Sequence, residues 1–357
     1  MAERSSEFVF TGNPARVIFG AGRMRNVREE VERLGRGRVL LLGSENLREV
    51  CDQVQDLLGE LFVNRYDGAA MHTPVEVTDI ALAQLRTSEA DCVVAIGGGS
   101  TTGLAKALAA RTGVDQVILP TTYAGSEVTP VLGETVEGRK TTRSTLAVLP
   151  ETVIYDVELS KNLPVPIAVA SAVNALAHAV EAMYSPDANP VVDTWALEAA
   201  QALARGLRGL VSDPSCRRIR TDLLRGSWLA GMCLGSVGMA VHHKLCHTLG
   251  GAFGLPHAPT HTVVLPYAMS FNASEVPDVM DSLASAMNVS NAPAGVWDLI
   301  ADAGGPTSLA SLGLLQTDLD RAADLATEAP YRNPRQITRS GIRDLLQSAW
   351  EGNRPPE

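Results

Sequence analysis

The chain has 357 residues, 45% of them hydrophobic, and carries 40 acidic against 30 basic side chains for a formal net charge of -10. Such a length suggests about two domains with an ample core, and the acidic balance argues against binding a phosphate backbone, which needs a basic face. The N-terminus MAERSSEFVF lacks the apolar run of a signal peptide; the most apolar stretch, Leu229 to Val241, is shorter than the roughly 20 residues of a spanning helix and reads as a buried helix.

Short Val/Ile/Leu runs alternate with helical patterns in the first half. RVLLLG (38–43) precedes a helix to about Leu58, LFVNRYDG (61–68) a helix from Pro74 to about Thr87, and DCVVAIGGGS (91–100) a helix to about Ala110. QVILP (116–120), TLAVLP (145–150) and TVIYD (152–156) read as further strands, with a hairpin or loop around GETVEGRKTT. Strands alternating with helices imply a parallel sheet covered by helices on both faces. Past residue 157 the β-branched runs fade and Ala/Leu/Arg/Glu patterns at helical spacing take over. The expected architecture is therefore an α/β domain over residues 1–157 and an all-α domain over 158–357. Cys51, Cys92, Cys216, Cys233 and Cys246 are odd in number, widely spaced and in no Cys-x-x-Cys pair. That suits neither a disulfide framework nor a thiolate metal site, and the expected compartment is a reducing cytoplasm.

Four segments carry chemistry. In VVAIGGGSTTGLAKALA a buried strand meets Gly97, Gly98, Gly99 and Ser100 just before a helix; glycines allow close approach, and a helix N-terminus offers free N–H groups to a phosphate. A Gly run here also suits a plain tight turn, and it lies on the third predicted strand rather than the first, unlike the usual dinucleotide fingerprint. LPTTYAGSEVTP places Thr121, Thr122 and Ser126 at the carboxyl end of the next strand, where ligands of open α/β sheets lie. In SAVNALAHAVEAMY, Asn174 and His178 share a helical face, and in VHHKLCHTLGGAFGLPH so do His243 and His247, with His257 returning through a Gly-Pro turn. His242 points about 100° away from His243 on that helix. Such histidines hold a metal, act by themselves or merely pack; spacing alone leaves all three open.

The order GGGS…AK, PTT…GSE, an oxygen-bearing residue four before a histidine, and His-x3-His-x9-His resembles the iron-containing alcohol dehydrogenase family, which is also similar to glycerol dehydrogenase and dehydroquinate synthase. The resemblance implies an NAD(P)-binding domain followed by a helical one. It places Asn174, His178, His243 and His257 at the family's metal ligands and His247 near the nicotinamide. At the first of these positions the family has an aspartate. With PTTYAGSE, EGRKTT and HHKLCH, the neutral Asn174 resembles a branch of the family that reduces an unsaturated oxo-dicarboxylate during aromatic-compound degradation and works without metal, so no metal is expected.

Hydride addition to a conjugated alkene places charge on an enolate oxygen, a weaker base than an alkoxide, which hydrogen-bond donors or imidazolium can stabilise. On that reading His243, His257 and His178 line the pocket as donors. The resemblance assigns Lys140 to the substrate carboxylates, while Lys244, Arg139 and Arg143 read as solvated charges. Where the family carries an acidic residue that repels NADP, this chain has Gly43 and Ser44, so NADH and NADPH are both expected, with Glu45 one residue on. The expected partners are a small dicarboxylate and, from the resemblance, a second copy in a homodimer, with neither nucleic acid nor membrane. A metal-dependent alcohol or polyol dehydrogenase, a lyase similar to dehydroquinate synthase and a non-catalytic NAD(P) binder are the competing readings.

Overall fold

A computed structural model gives the fold; it describes residues 8–13, 15–136 and 139–357, with the side chains of residues 136–140 outside the description. The chain divides into two compact units, Gly12–Leu163 and residues 8–11 with Pro164–Glu357.

The first unit runs β1 (Arg16–Phe19), α1 (Val27–Arg33), β2 (Val39–Leu42), α2 (Arg48–Leu58), β3 (Phe62–Tyr66), α3 (Val75–Thr87), β4 (Cys92–Gly97), α4 (Gly99–Thr112), β5 (Asp115–Pro120), β6 (Val131–Val136), β7 (Arg139–Ser144) and β8 (Thr152–Tyr155). Six strands form one parallel sheet in the order β1-β8-β5-β4-β2-β3, and β6 and β7 form a separate antiparallel hairpin. Strands buried on both faces need no alternation, which is why VLLL and CVVAIG are apolar throughout. Val39, Leu41, Val94, Ile96, Val117, Leu119 and Ile154 make one core with Val27 and Val31 of α1 and Cys51, Val54 and Leu58 of α2.

Two expectations change here. TLAVLP is no strand: Leu146–Val148 forms a 3-10 turn whose preceding Thr145 hydroxyl accepts the Ala147 N–H at 3.3 Å. Conversely, RVIF at Arg16–Phe19 pairs in register with Thr152–Tyr155 as an edge strand that the sequence pattern did not announce.

The second unit contains α5 (Val165–Met183), α6 (Pro190–Ser212), α7 (Arg217–Leu234), α8 (Val241–Phe253), α9 (His257–Asn272), α10 (Pro277–Met287), α11 (Ala292–Asp302), α12 (Leu319–Thr327) and α13 (Arg339–Glu351). Every residue of α5 from Ala168 to Met183 is buried, and the helix packs against α6, α7 and α9. It is long and apolar enough to cross a bilayer, yet 83% of its most apolar window is covered by protein. The apolar segment Leu229–Val241 is only half a helix: α7 stops at Leu234, Gly235 caps it, and the chain turns before α8 opens at Val241. A second core joins α8, α9, α12 and α13 through Val241, Leu245, Leu249, Val264, Ala322, Ala326, Ile342 and Leu346.

Candidate active site

In the α/β unit, the carboxyl ends of β4 and β5 carry the loops marked by sequence. Gly97 has φ +153°, where a side chain is strained, and a Cβ there would clash with Thr101 Oγ1. A Cβ on Gly98 would meet Thr122 Cγ2 at 2.9 Å, whereas the space at Gly99 is open. The two loops are thus in contact, and Thr121 N–H donates to Gly97 O at 2.9 Å. The first backbone bond of α4 runs from Thr102 N–H to Gly98 O at 3.1 Å, so the N–H groups of Gly99, Ser100 and Thr101 belong to the helix start, whose first donors have no intrahelical partner. Ser44 follows β2, half-buried beside Gly43.

The lysine of the AK pair is structural. Lys106 is 1% exposed, and its Nζ donates among Ser126 O (2.6 Å), Thr129 O (2.7 Å), Thr129 Oγ1 (3.0 Å) and Val131 O (2.9 Å). Burial pushes its pKa down to about 7 against the pull of the Glu127 carboxylate. Four acceptors still surround an ammonium with three donors. Lys106 therefore pins the Thr121–Ser126 loop from beneath. Glu127, raised by burial, accepts from the Tyr155 hydroxyl at 2.8 Å.

In the helical unit six of the seven histidines gather. Ring centroids lie 5.1 Å apart for His178 and His243, 5.1 Å for His242 and His243, 4.9 Å for His242 and His261, 5.1 Å for His243 and His261, and 4.3 Å for His257 and His261. His247 joins at 6.2 Å from His243 and 6.4 Å from His257 and is the exposed member. Burial first, then the neighbouring imidazoles, holds His178 and His261 well below the ordinary histidine value, and His242 is lowered to about 4. His178, His242 and His261 are therefore neutral at physiological pH.

Glu181, one turn beyond His178, lies fully buried beneath it. Its Oε2 is 2.7 Å from His243 Nδ1 and accepts Ala240 N–H at 2.9 Å, and its Oε1 accepts His242 N–H at 2.7 Å. Burial alone would raise this carboxyl; the hydrogen bond and charge of His243, with help from His242 and Ala240, bring it below the ordinary value. His242 is therefore inside the cluster, not turned away from it: its Nε2 is 3.0 Å from His261 O and its Nδ1 3.4 Å from His243 Nδ1. Asn174 Oδ1, His178 Nδ1, His243 Nε2 and both ring nitrogens of His261 are buried without a hydrogen-bond partner among the described residues.

Lys140 pairs through its backbone with Thr135 in the hairpin, and its side chain lies outside the described residues. Arg143 is tied to Glu134 at 3.2 Å, and the Lys244 ammonium sits 5.9 Å above the Tyr331 ring. A cavity of about 900 Å³ in the helical unit, bordered by Tyr184, Ala240, Tyr331 and Arg335, has none of the clustered histidines in its wall. Sequence reasoning passed over His261 and Glu181; His261 stands four residues after His257 on α9, the same spacing that singled out His243 and His247.

A parallel sheet with a glycine cradle, joined in sequence to a helical unit bearing a histidine cluster, defines a class. The family model for iron-containing alcohol dehydrogenase matches residues 14–157, and that for the C-terminal part of the Fe-containing alcohol dehydrogenase family matches 168–350. The chain belongs to the iron-containing alcohol dehydrogenase family. Within it, the chain is 49% identical over 348 residues to maleylacetate reductase from Rhizobium sp. (strain MTP-10005), covering 98% of this chain and 99% of that one. The crystal structure of maleylacetate reductase from Agrobacterium tumefaciens superposes with TM-score 0.94 at 48% identity over 98% of this chain and 100% of that one. An iron-containing alcohol dehydrogenase from Corynebacterium glutamicum ATCC 13032 gives TM-score 0.94 at 40% identity, covering 99% of each chain.

The expectation that no metal is needed is overturned by this membership, because the matching family is iron-containing. The residues also fit a cation. Nitrogens of His242, His243 and His261 come within 4.8 Å of one another, although His242 already engages both ring nitrogens. Asn174, His178 and His243, three of the positions that the resemblance gives to the metal, each keep a buried atom without a hydrogen-bond partner among the described residues. Asn174 removes a charge but not an oxygen, and an amide carbonyl remains a ligand for a hard cation.

Proposed function

We propose that the chain is a maleylacetate reductase, using NADH or NADPH to reduce the double bond conjugated to the oxo group of maleylacetate and releasing 3-oxoadipate. The observation that carries this reading is the imidazole cluster with buried ring nitrogens unsatisfied among the described residues, in a chain that matches such reductases over nearly its whole length.

Reduced nicotinamide, when bound, supplies the hydride. Gly97, Gly98, Gly99 and Ser100 receive its pyrophosphate at the start of α4, with Thr121, Thr122 and Ser126 bordering the same cradle. Ser44 lies at the adenosine ribose, and its lack of charge admits the extra phosphate of NADPH. Arg65 supports that assignment: Asp67 near Gly43 is neutralised by Arg65 Nε at 2.7 Å, and Arg65 Nη2 has no partner among the described residues.

The substrate takes up one hydride at the alkene carbon β to the oxo group, its π electrons move to the oxo oxygen, and one proton then arrives at the adjacent carbon. A neutral His261 always presents one N–H, and with neither nitrogen engaged among the described residues that donor can serve the oxygen where charge develops. A divalent cation held by Asn174, His178, His243 and His257 would add Lewis-acid charge at that oxygen. His247, at the exposed edge of the cluster, belongs at the nicotinamide, and Lys140 is assigned to a substrate carboxylate. The chain acts as a cytoplasmic homodimer with its cysteines reduced.

The test is loss of reduced-nicotinamide absorbance with maleylacetate for each cofactor, with 3-oxoadipate identified by mass spectrometry. Oxidation with simple aldehydes or ketones but none with maleylacetate would transfer the reading to an alcohol or polyol dehydrogenase.

A further inference from the structure

We propose that Glu181 is a positioning residue that holds His243 in the tautomer protonated at Nδ1, leaving Nε2 as a bare lone pair facing the cluster.

The argument is a count of donors. Three groups converge on one buried carboxylate: Ala240 N–H at 2.9 Å, His242 N–H at 2.7 Å and His243 Nδ1 at 2.7 Å. Two are backbone amides and can only donate. An ionised carboxylate can only accept, so the third contact is a hydrogen bond only if Nδ1 carries a proton. His242 supplies an independent constraint. Its Nε2 lies 3.0 Å from the His261 carbonyl oxygen and must donate to it, which in a neutral ring makes Nδ1 a lone pair. That lone pair faces His243 Nδ1 at 3.4 Å, an arrangement that again wants the proton on His243 Nδ1.

Glu181 thus joins two tasks. It satisfies amides at the start of the thirteen-residue α8, and it fixes the ring that α8 carries one turn in. The consequence alters one role read from the sequence: a neutral His243 cannot donate from Nε2 to a developing enolate, and serves there as a cation ligand or proton acceptor. Donation falls to His261. This inference deepens the functional reading of the cluster, but the tautomer is a property of the protein without substrate.

The test is two-bond proton–nitrogen correlation spectroscopy of protein labelled with nitrogen-15 in histidine, above the ordinary imidazole pKa, with His243 assigned by His243→Gln. Wild type is expected to show His243 solely as the Nδ1–H form. Glu181→Met removes the acceptor, and the Nε2–H form is expected to appear. Glu181→Gln keeps two hydrogen bonds in either amide orientation, only one of which retains the Nδ1 proton, so both tautomers are expected. Cobalt(II) affinity and kcat should each fall about 10- to 100-fold, the usual cost of losing a carboxylate behind a ligand imidazole, while KM for NADH holds. A wild-type Nε2–H form, or an unaltered Nδ1–H form in Glu181→Met, overturns the proposal. If that variant does not fold, a pure Nδ1–H form with undiminished cobalt affinity in Glu181→Gln overturns it equally. A protein inactive on maleylacetate whose His243 is the Nδ1–H form supports this inference while refuting the substrate reading.

Discussion

His261→Leu should make the protein more stable and nearly inactive. His261 is 1% exposed, and neither ring nitrogen has a hydrogen-bond partner among the described residues. A buried unsatisfied polar group costs about 1–3 kcal/mol, so the two nitrogens together cost about 2–6 kcal/mol in the unliganded fold. Leucine has similar bulk, and its imperfect fit against His242, His243 and His257 should return no more than about 1.5 kcal/mol. The His261 carbonyl that receives His242 Nε2 is backbone and survives the change. With that full offset the net gain is about 0.5–4.5 kcal/mol, worth roughly 2–4 °C in Tm per kcal/mol for a unit of this size. Losing a donor aimed at a developing oxyanion should lower kcat about 100- to 1,000-fold with KM for NADH unchanged. The assay pairs thermal unfolding in chelator with steady-state kinetics. A lower Tm with near-normal kcat would refute the reasoning and make His261 an ordinary packing residue.

Asn174→Asp restores a charged oxygen in the cluster, so iron(II) or cobalt(II) should bind more tightly by calorimetry, whereas the metal-free variant should melt lower than wild type because the new carboxylate is buried without a partner; equal metal affinity for both would dismiss Asn174 as a ligand. Ser44→Asp should raise KM for NADPH at least about tenfold, a difference of about 1.4 kcal/mol, and spare NADH, and equal effects on both cofactors would misplace the ribose site. Acid should weaken the fold through His242, whose pKa is lowered from 6.5 to about 4. The unfolded chain binds this proton first, so stability is full above about pH 6.5 and declines toward pH 4, by up to about 3 kcal/mol from this residue; urea unfolding of wild type and His242→Gln across that window checks it, and parallel curves would count against it. Gly98→Ala should weaken NADH binding by fluorescence titration with little change in KM for substrate, because the new methyl meets Thr122 at 2.9 Å.

Local pattern made much of this molecule legible. Strands such as VLLL and CVVAIG are apolar because both faces are covered, and GGGS marks the turn from β4 into α4. The i, i+4 rule found His243 and His247, and applied once more to His257 it would have found His261. Glu181 was beyond its reach. In the string HAVEAMY it looks like an ordinary helix glutamate, and only the packing of α5 beside the start of α8, some 60 residues on, turns it into the carboxylate that three donors share. TLAVLP misled because an apolar run carries no record of what it pairs with: Thr145 capped a turn instead. The apolar stretch ending α7 was overextended for the same reason, with Gly235 acting as the stop.

The helix α5 has a further consequence for how the protein is made. From Ala168 to Met183 every residue is covered in the finished fold, by α6, α7 and α9. On the ribosome α5 emerges before any of them, and α9 begins at His257, 74 residues after α5 ends. Synthesis at about 5–20 residues per second leaves that apolar helix without its last cover for several seconds. In that interval it resembles a membrane span in length and hydropathy. A nascent chain stalled before α9 would therefore engage chaperones or aggregate through the helix that bears Asn174, His178 and Glu181, so residues proposed for the reaction site lie on a segment that stays uncovered during synthesis.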